Sequence, residues 1–141
     1  MISLKDWYDK NIAPLASFYI LFYAVFFGLL YRYIRRRKAL KTFVAKIAKQ
    51  IMEIRRLLQA DPTNKDIFSE IWFEVTDRKR QIIKNMTDYI LIDDFYSELR
   101  KRNLYLSSNP SVDESQLLRY NVSLLAAAEN ALNKIEWNKY R

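Results

Sequence analysis

Apolar positions fall along this chain in distinct patterns. From Ile12 to Tyr31 they are nearly continuous, and the stretch "IAPLASFYILFYAVFFGLLY" carries no charge. At 1.5 Å rise per residue, twenty residues make ~30 Å of helix, the thickness of a bilayer's hydrocarbon core. Pro14 falls in the first turn, where its missing N–H costs little. Past "RYIRRRK" the pattern becomes a seam of Leu40, Val44, Ile47, Ile51, Ile54 and Leu58, spaced by alternate steps of 4 and 3. That is the signature of a helix with one apolar face. The seam either meets another chain or faces its own core.

"DPTNKD" interrupts the seam: Pro62 stops the helix, and Asp61, Thr63 or Asn64 can cap the next. From Phe68 the steps of 4 and 3 return through Trp72, Val75, Lys79, Ile82, Met86 and Tyr89. This helix either continues through "DYILIDDFYSELRKRN" or is broken and recapped at Asp93–Asp94. After the loop "NLYLSSNPSVDE", Ser111-x-x-Glu114 reads as a capping box. A last helix then puts Leu118, Leu125, Ala128, Leu132 and Ile135 on one side.

The pattern predicts an all-α chain with a single N-terminal transmembrane helix running into a three- or four-helix inner bundle. The expected parts are a short outer segment 1–11, a transmembrane helix 12–34 and a basic juxtamembrane amphipathic helix 35–60. Segment 61–141 completes the bundle with helices about 65–102 and 112–138.

Charge sharpens this picture. The net charge of +8 is concentrated between Arg32 and Arg56, where ten Lys/Arg face one acid, Glu53. The rest of the chain is near neutral, which argues against a nucleic-acid-binding domain, and no nucleic-acid partner is expected. A cleavable signal peptide has its cations before the apolar run and small residues after it. Here the order is reversed, so an uncleaved anchor is expected. Arg32, Arg35, Arg36, Arg37, Lys38 and Lys41 crowd one end of the span, against Lys5 and Lys10 at the other. Such asymmetry places the N-terminus outside and the C-terminal domain inside. The same cations suit anionic lipid headgroups. The compartment this implies is a prokaryotic plasma membrane or an organellar (mitochondrial) inner membrane.

Within the span, Ala13, Ser17, Ala24 and Gly28 fall on one strip at 100° per residue. A small-residue strip lets another helix approach closely in lipid. It is the candidate packing surface toward other integral membrane subunits.

Candidate chemistry is sparse. With no Cys and no His, thiol nucleophiles, zinc knuckles and the commonest general base are excluded. The single Gly excludes a phosphate-cradling loop. Asp93, Asp94 and Glu98 could hold a hard cation, but paired acids fit a helix cap better. The sequons at Asn85 and Asn121 fall on predicted helices and read as chance. No catalytic, metal or cofactor residues are expected. In kind the chain is similar to the supernumerary subunits of respiratory and ATP-synthase assemblies, which are short, basic, single-span and without enzymatic residues. The span leading into a charged helix also resembles the stator b subunit, but the break at "DPTNKD" departs from that subunit's uninterrupted helix. The expectation is a non-catalytic accessory subunit of a multi-subunit integral membrane complex, a hetero-oligomer. The alternative is a single-pass tethered adaptor that recruits a soluble partner through the 40–58 face.

Overall fold

A computed structural model describes residues 3–65, 68, 72, 83 and 86–140. Among them the elements are helices only. They are α1 (Leu4–Asn11), α2 (Ala13–Ala60), α3 (Met86–Ser108), α4 (Glu114–Lys134) and a closing 3-10 turn (Trp137–Tyr140). The chain divides into two units, Met1–Ala39 and Leu40–Arg141. Most of the helix expected from residue 65, with Val75, Lys79 and Ile82, lies outside the described residues, as does Asn85.

In the first unit, α1 is an element that apolar periodicity did not flag, because "LKDWYDKN" alternates charge with aromatics. Ser3 caps it, its hydroxyl accepting the Asp6 N–H at 3.1 Å. It stops at Asn11 for a reason written in Pro14, which has no N–H for the Lys10 carbonyl and crowds it with its ring. α2 then starts at Ala13, with the Ala16 N–H on the Ile12 carbonyl at 2.8 Å. One helix here is long and apolar enough to cross a membrane, and none of its apolar window is buried inside the chain. Its rings pair with helix neighbours, as in the stacked pairs Phe22–Phe26 and Tyr23–Phe27.

The second unit holds the core. Val44, Ile47, Ile51, Ile54 and Leu58 of α2 are all buried, in one cluster with Trp72, Ile83, Ile92, Phe95, Tyr96, Leu99, Leu124, Ala128, Ala131 and Ile135. Phe43 stacks on Trp72, whose other neighbours are Tyr89 and Tyr96. α2 ends at Ala60, two residues before Pro62, where Asp61 Oδ1 accepts the Thr63 N–H at 3.0 Å and closes the turn.

Several details differ from the sequence expectation. α3 passes through Asp93–Asp94 without a break, so these acids are not a cap. Asp93 accepts the Trp72 indole N–H at 2.7 Å, a use that only the tertiary fold supplies. α3 extends to Ser108, beyond the expected end near 102; Asn109 Nδ2 donates to the Tyr105 carbonyl at 2.8 Å and satisfies its last turn.

The N-cap of α4 is Asp113, not Ser111: Asp113 Oδ1 accepts the Ser115 N–H at 2.9 Å. The Ser115 hydroxyl, donating to the same oxygen at 2.9 Å, and then this N–H hold the Asp113 carboxyl below its ordinary range. The buried face of α4 is Leu117, Asn121, Leu124, Ala128, Ala131 and Ile135. Leu118, expected inside, is 47% exposed, because the true seam is a step of 4 and 3 running through a polar residue, Asn121. α4 ends at Lys134 because Ile135 turns to extended backbone and is buried there.

Candidate membrane and partner surfaces

The expected packing strip lies wholly on the outside of its helix. Ser17, Ala24 and Gly28 are exposed and Ala13 is half-buried. Ser17 Oγ donates to the Ala13 carbonyl at 2.9 Å, which satisfies the hydroxyl within the helix, as suits an apolar surround. A Cβ added at Gly28 would meet nothing within 4 Å. Among the described residues, nothing packs closely on the strip at Gly28.

The cationic block follows on the same helix. Arg32, Arg35, Arg36, Arg37 and Lys38 are exposed, and Lys41 is half-buried.

The candidate partner-or-core face resolves differently. Leu40 is half-buried against the core, and Val44, Ile47, Ile51, Ile54 and Leu58 are in it. Polar contacts fasten this stretch of α2 further. Tyr96 Oη donates to Gln50 Oε1, and Arg55 Nε pairs with Glu129 at 2.9 Å. Burial pushes the Tyr96 hydroxyl well above its ordinary range.

A buried polar cluster escaped the sequence reading. Arg102 is fully buried, donating from Nε to Asn121 Oδ1 at 2.8 Å and from Nη2 to the Asn64 carbonyl. Asn121 Nδ2 donates to the Pro62 carbonyl, and Asn103 Nδ2 to the Phe68 carbonyl at 3.1 Å. The guanidinium also lies 5.3 Å from the Phe68 ring centroid. These contacts pin the turn after α2 to α3 and α4. The signal was present as a polar residue, Asn121, inside an otherwise apolar repeat. Its burial also leaves the Asn121 sequon inaccessible.

Asp88 and the closing turn form a second polar contact. Tyr140 Oη donates to Asp88 Oδ2 at 2.7 Å, with Lys139 Nζ 3.8 Å from the same oxygen. Burial first, and this hydrogen bond second, raise the Tyr140 hydroxyl above its ordinary range. Asp93 serves Trp72, and Glu98 pairs with Lys101 at 2.6 Å, which raises the lysine's pKa. Among the described residues no group of three or more acids is placed to hold a metal ion.

No family model, curated protein or solved structure matches this chain.

Proposed function

We propose that this chain is a non-catalytic accessory subunit of a multi-subunit integral membrane complex. A single helix anchors it, with the N-terminus outside and the helical domain inside. The observation that carries the reading is the apolar window of α2, none of which is buried by its own chain, followed directly by the cationic block. Exposed aromatic and aliphatic surface on that scale needs lipid or protein to cover it. The cations set orientation and attract anionic headgroups, and the strip of Ala13, Ser17, Ala24 and Gly28 offers a close-packing surface to a neighbouring membrane helix. A subunit of a bioenergetic complex of the respiratory or ATP-synthase kind fits this description. The adaptor reading needs the 40–58 seam free for a partner, and the core already occupies that seam.

Membranes from the source cells supply the test. The chain should stay with the membrane through alkaline carbonate washing and migrate with a fixed set of proteins after mild-detergent extraction. Gly28→Leu should lower recovery of that assembly while leaving membrane retention intact. A chain released by carbonate would overturn the anchor, and a free monomer in mild detergent would overturn the subunit role.

A further inference from the structure

Beside the core seam, and sharing Val44 with it, α2 carries a second face that is open among the described residues of the second unit. Lys41, Val44, Ala45, Ala48, Met52 and Arg55 line a groove of about 410 Å³, closed on its far side by Leu132, Trp137 and Tyr140. The α2 wall from Lys41 to Arg55 runs ~21 Å at 1.5 Å per residue, long enough for about four turns of a second helix. Its floor is apolar, and Met52 is 53% exposed there. The two alanines leave room for a close helix–helix approach.

The rim of this groove is charged unevenly. The exposed acid Glu53 stands on this rim, four residues past Lys49; at 100° per residue Lys49 and Arg56 lie within about 60° of Ala45 and Met52, and Lys46 lies further round. All three cations are exposed, and no ion pair of the described residues involves them. Elsewhere in the unit acids and bases meet, as in Arg55–Glu129 and Lys101–Glu98. The opposite rim bears Glu129, held by Arg55, and Glu136, 3.4 Å from Lys139. A rim of three cations and one acid, beside a largely apolar groove that also bears Lys41 and Arg55, is complementary to an apolar stripe with an acidic flank.

We infer that this groove seats an amphipathic helix of another protein, with its apolar stripe on Ala45, Ala48 and Met52 and an acidic flank against Lys49 and Arg56. The inference names the partner chemistry of the complex proposed above and rests on that reading. A nucleic-acid strand would use the cations and leave the apolar floor unfilled.

The test uses the full chain in its own cells, with a photoreactive benzoylphenylalanine at position 45 or, separately, 52. Irradiation should trap one protein at both positions. The attached peptide, read by mass spectrometry, should carry apolar residues at helical spacing with Asp or Glu along one flank. Lys49→Glu with Arg56→Glu should lower the yield roughly tenfold or more, since like charges then face each other. Lys49→Arg with Arg56→Lys should preserve it. Unchanged thermal melting of both exposed-site variants checks that the fold survives. Adducts of lipid, nucleic acid or a second copy alone, a trapped segment lacking acids, a yield indifferent to charge reversal, or no adduct at all would each overturn the inference. A carbonate-released chain that still traps the acidic helix would overturn the anchor and leave the groove assignment standing. A firmly retained chain without the adduct would do the reverse.

Discussion

At the scale of single residues, the fold depends on an arginine placed where arginines rarely go. Arg102 has no exposed surface, and burying a guanidinium is costly unless its donors find acceptors. Its acceptors include Asn121 Oδ1 and the Asn64 carbonyl, which ties a loop and two helices to one side chain. Arg102→Met should therefore destabilise the second unit by on the order of 3 kcal/mol, because the asparagine and the loop carbonyl lose a donor. Asn121→Ala should cost a similar amount, and the double variant should cost less than the sum. Chemical denaturation followed by tryptophan fluorescence, with Trp72 in the core as reporter, measures all three. Strict additivity would show that the two residues do not act together. This cluster was not legible in the sequence beforehand. A polar residue within a repeat of apolar ones looks like noise until its partner is known, and Arg102 and Asn121 are nineteen positions apart.

At the scale of elements, legibility followed periodicity. The α2 seam was readable because six apolar residues hold one register without a polar interruption, and five of them are buried. The α4 face was read in part: Ala128 and Ile135 are in the core and Leu125 and Leu132 pack against it, but Leu118 is exposed and Leu117, Asn121, Leu124 and Ala131 went unread, since Asn121 broke the pattern and the parallel row Leu118–Leu125–Leu132 is equally regular. α1 and the capping by Asp113 rest on local hydrogen bonds that several neighbouring residues could have made. The charged state of two tyrosines gives the element contacts a pH dependence. Tyr96 joins α3 to α2 through Gln50, and Tyr140 joins the closing turn to α3 through Asp88. Both hydroxyls keep their protons above the ordinary tyrosine range in the folded state. The unfolded chain releases them near the usual value of about 10. Below that value both states are protonated and the contribution is complete. Above it the unfolded state gains by ionising, so stability falls as pH rises. The urea midpoint should hold steady from pH 8 to about 10 and then decline, with Tyr96 contributing up to ~1.4 kcal/mol per pH unit. Tyr96→Phe should lower the midpoint at neutral pH and flatten the alkaline decline. An identical decline in that variant would move the effect to other groups.

At the scale of the whole molecule, charge distribution and apolar length argue together. Ten of the chain's 24 basic residues lie between Arg32 and Arg56, directly after an uncharged run of twenty. For a membrane anchor this is a device that sets direction, because cations within ~15–20 residues of a span resist transfer to the outer side. Lys5 and Lys10, each near an acid, compete weakly from the other end. If the proposed orientation rests on this imbalance, removing the imbalance should reverse the orientation in a share of molecules. Replacing Arg35, Arg36, Arg37 and Lys38 by Gln, together with Asp6→Lys and Asp9→Lys, leaves about as many cations near one end as near the other. The apolar window is untouched, so membrane retention should persist. In sealed vesicles of known sidedness, a C-terminal tag on the parent chain should show a single accessibility to added protease, that of the inner side. The multiply substituted chain should divide into two populations. Four substitutions on the inner flank alone should give a smaller divided fraction, because Arg32, Lys41, Lys46 and Lys49 then still outnumber Lys5 and Lys10. A tag that stays uniformly on one side in every variant would show that the folded inner unit, and not the cations, fixes the direction of insertion.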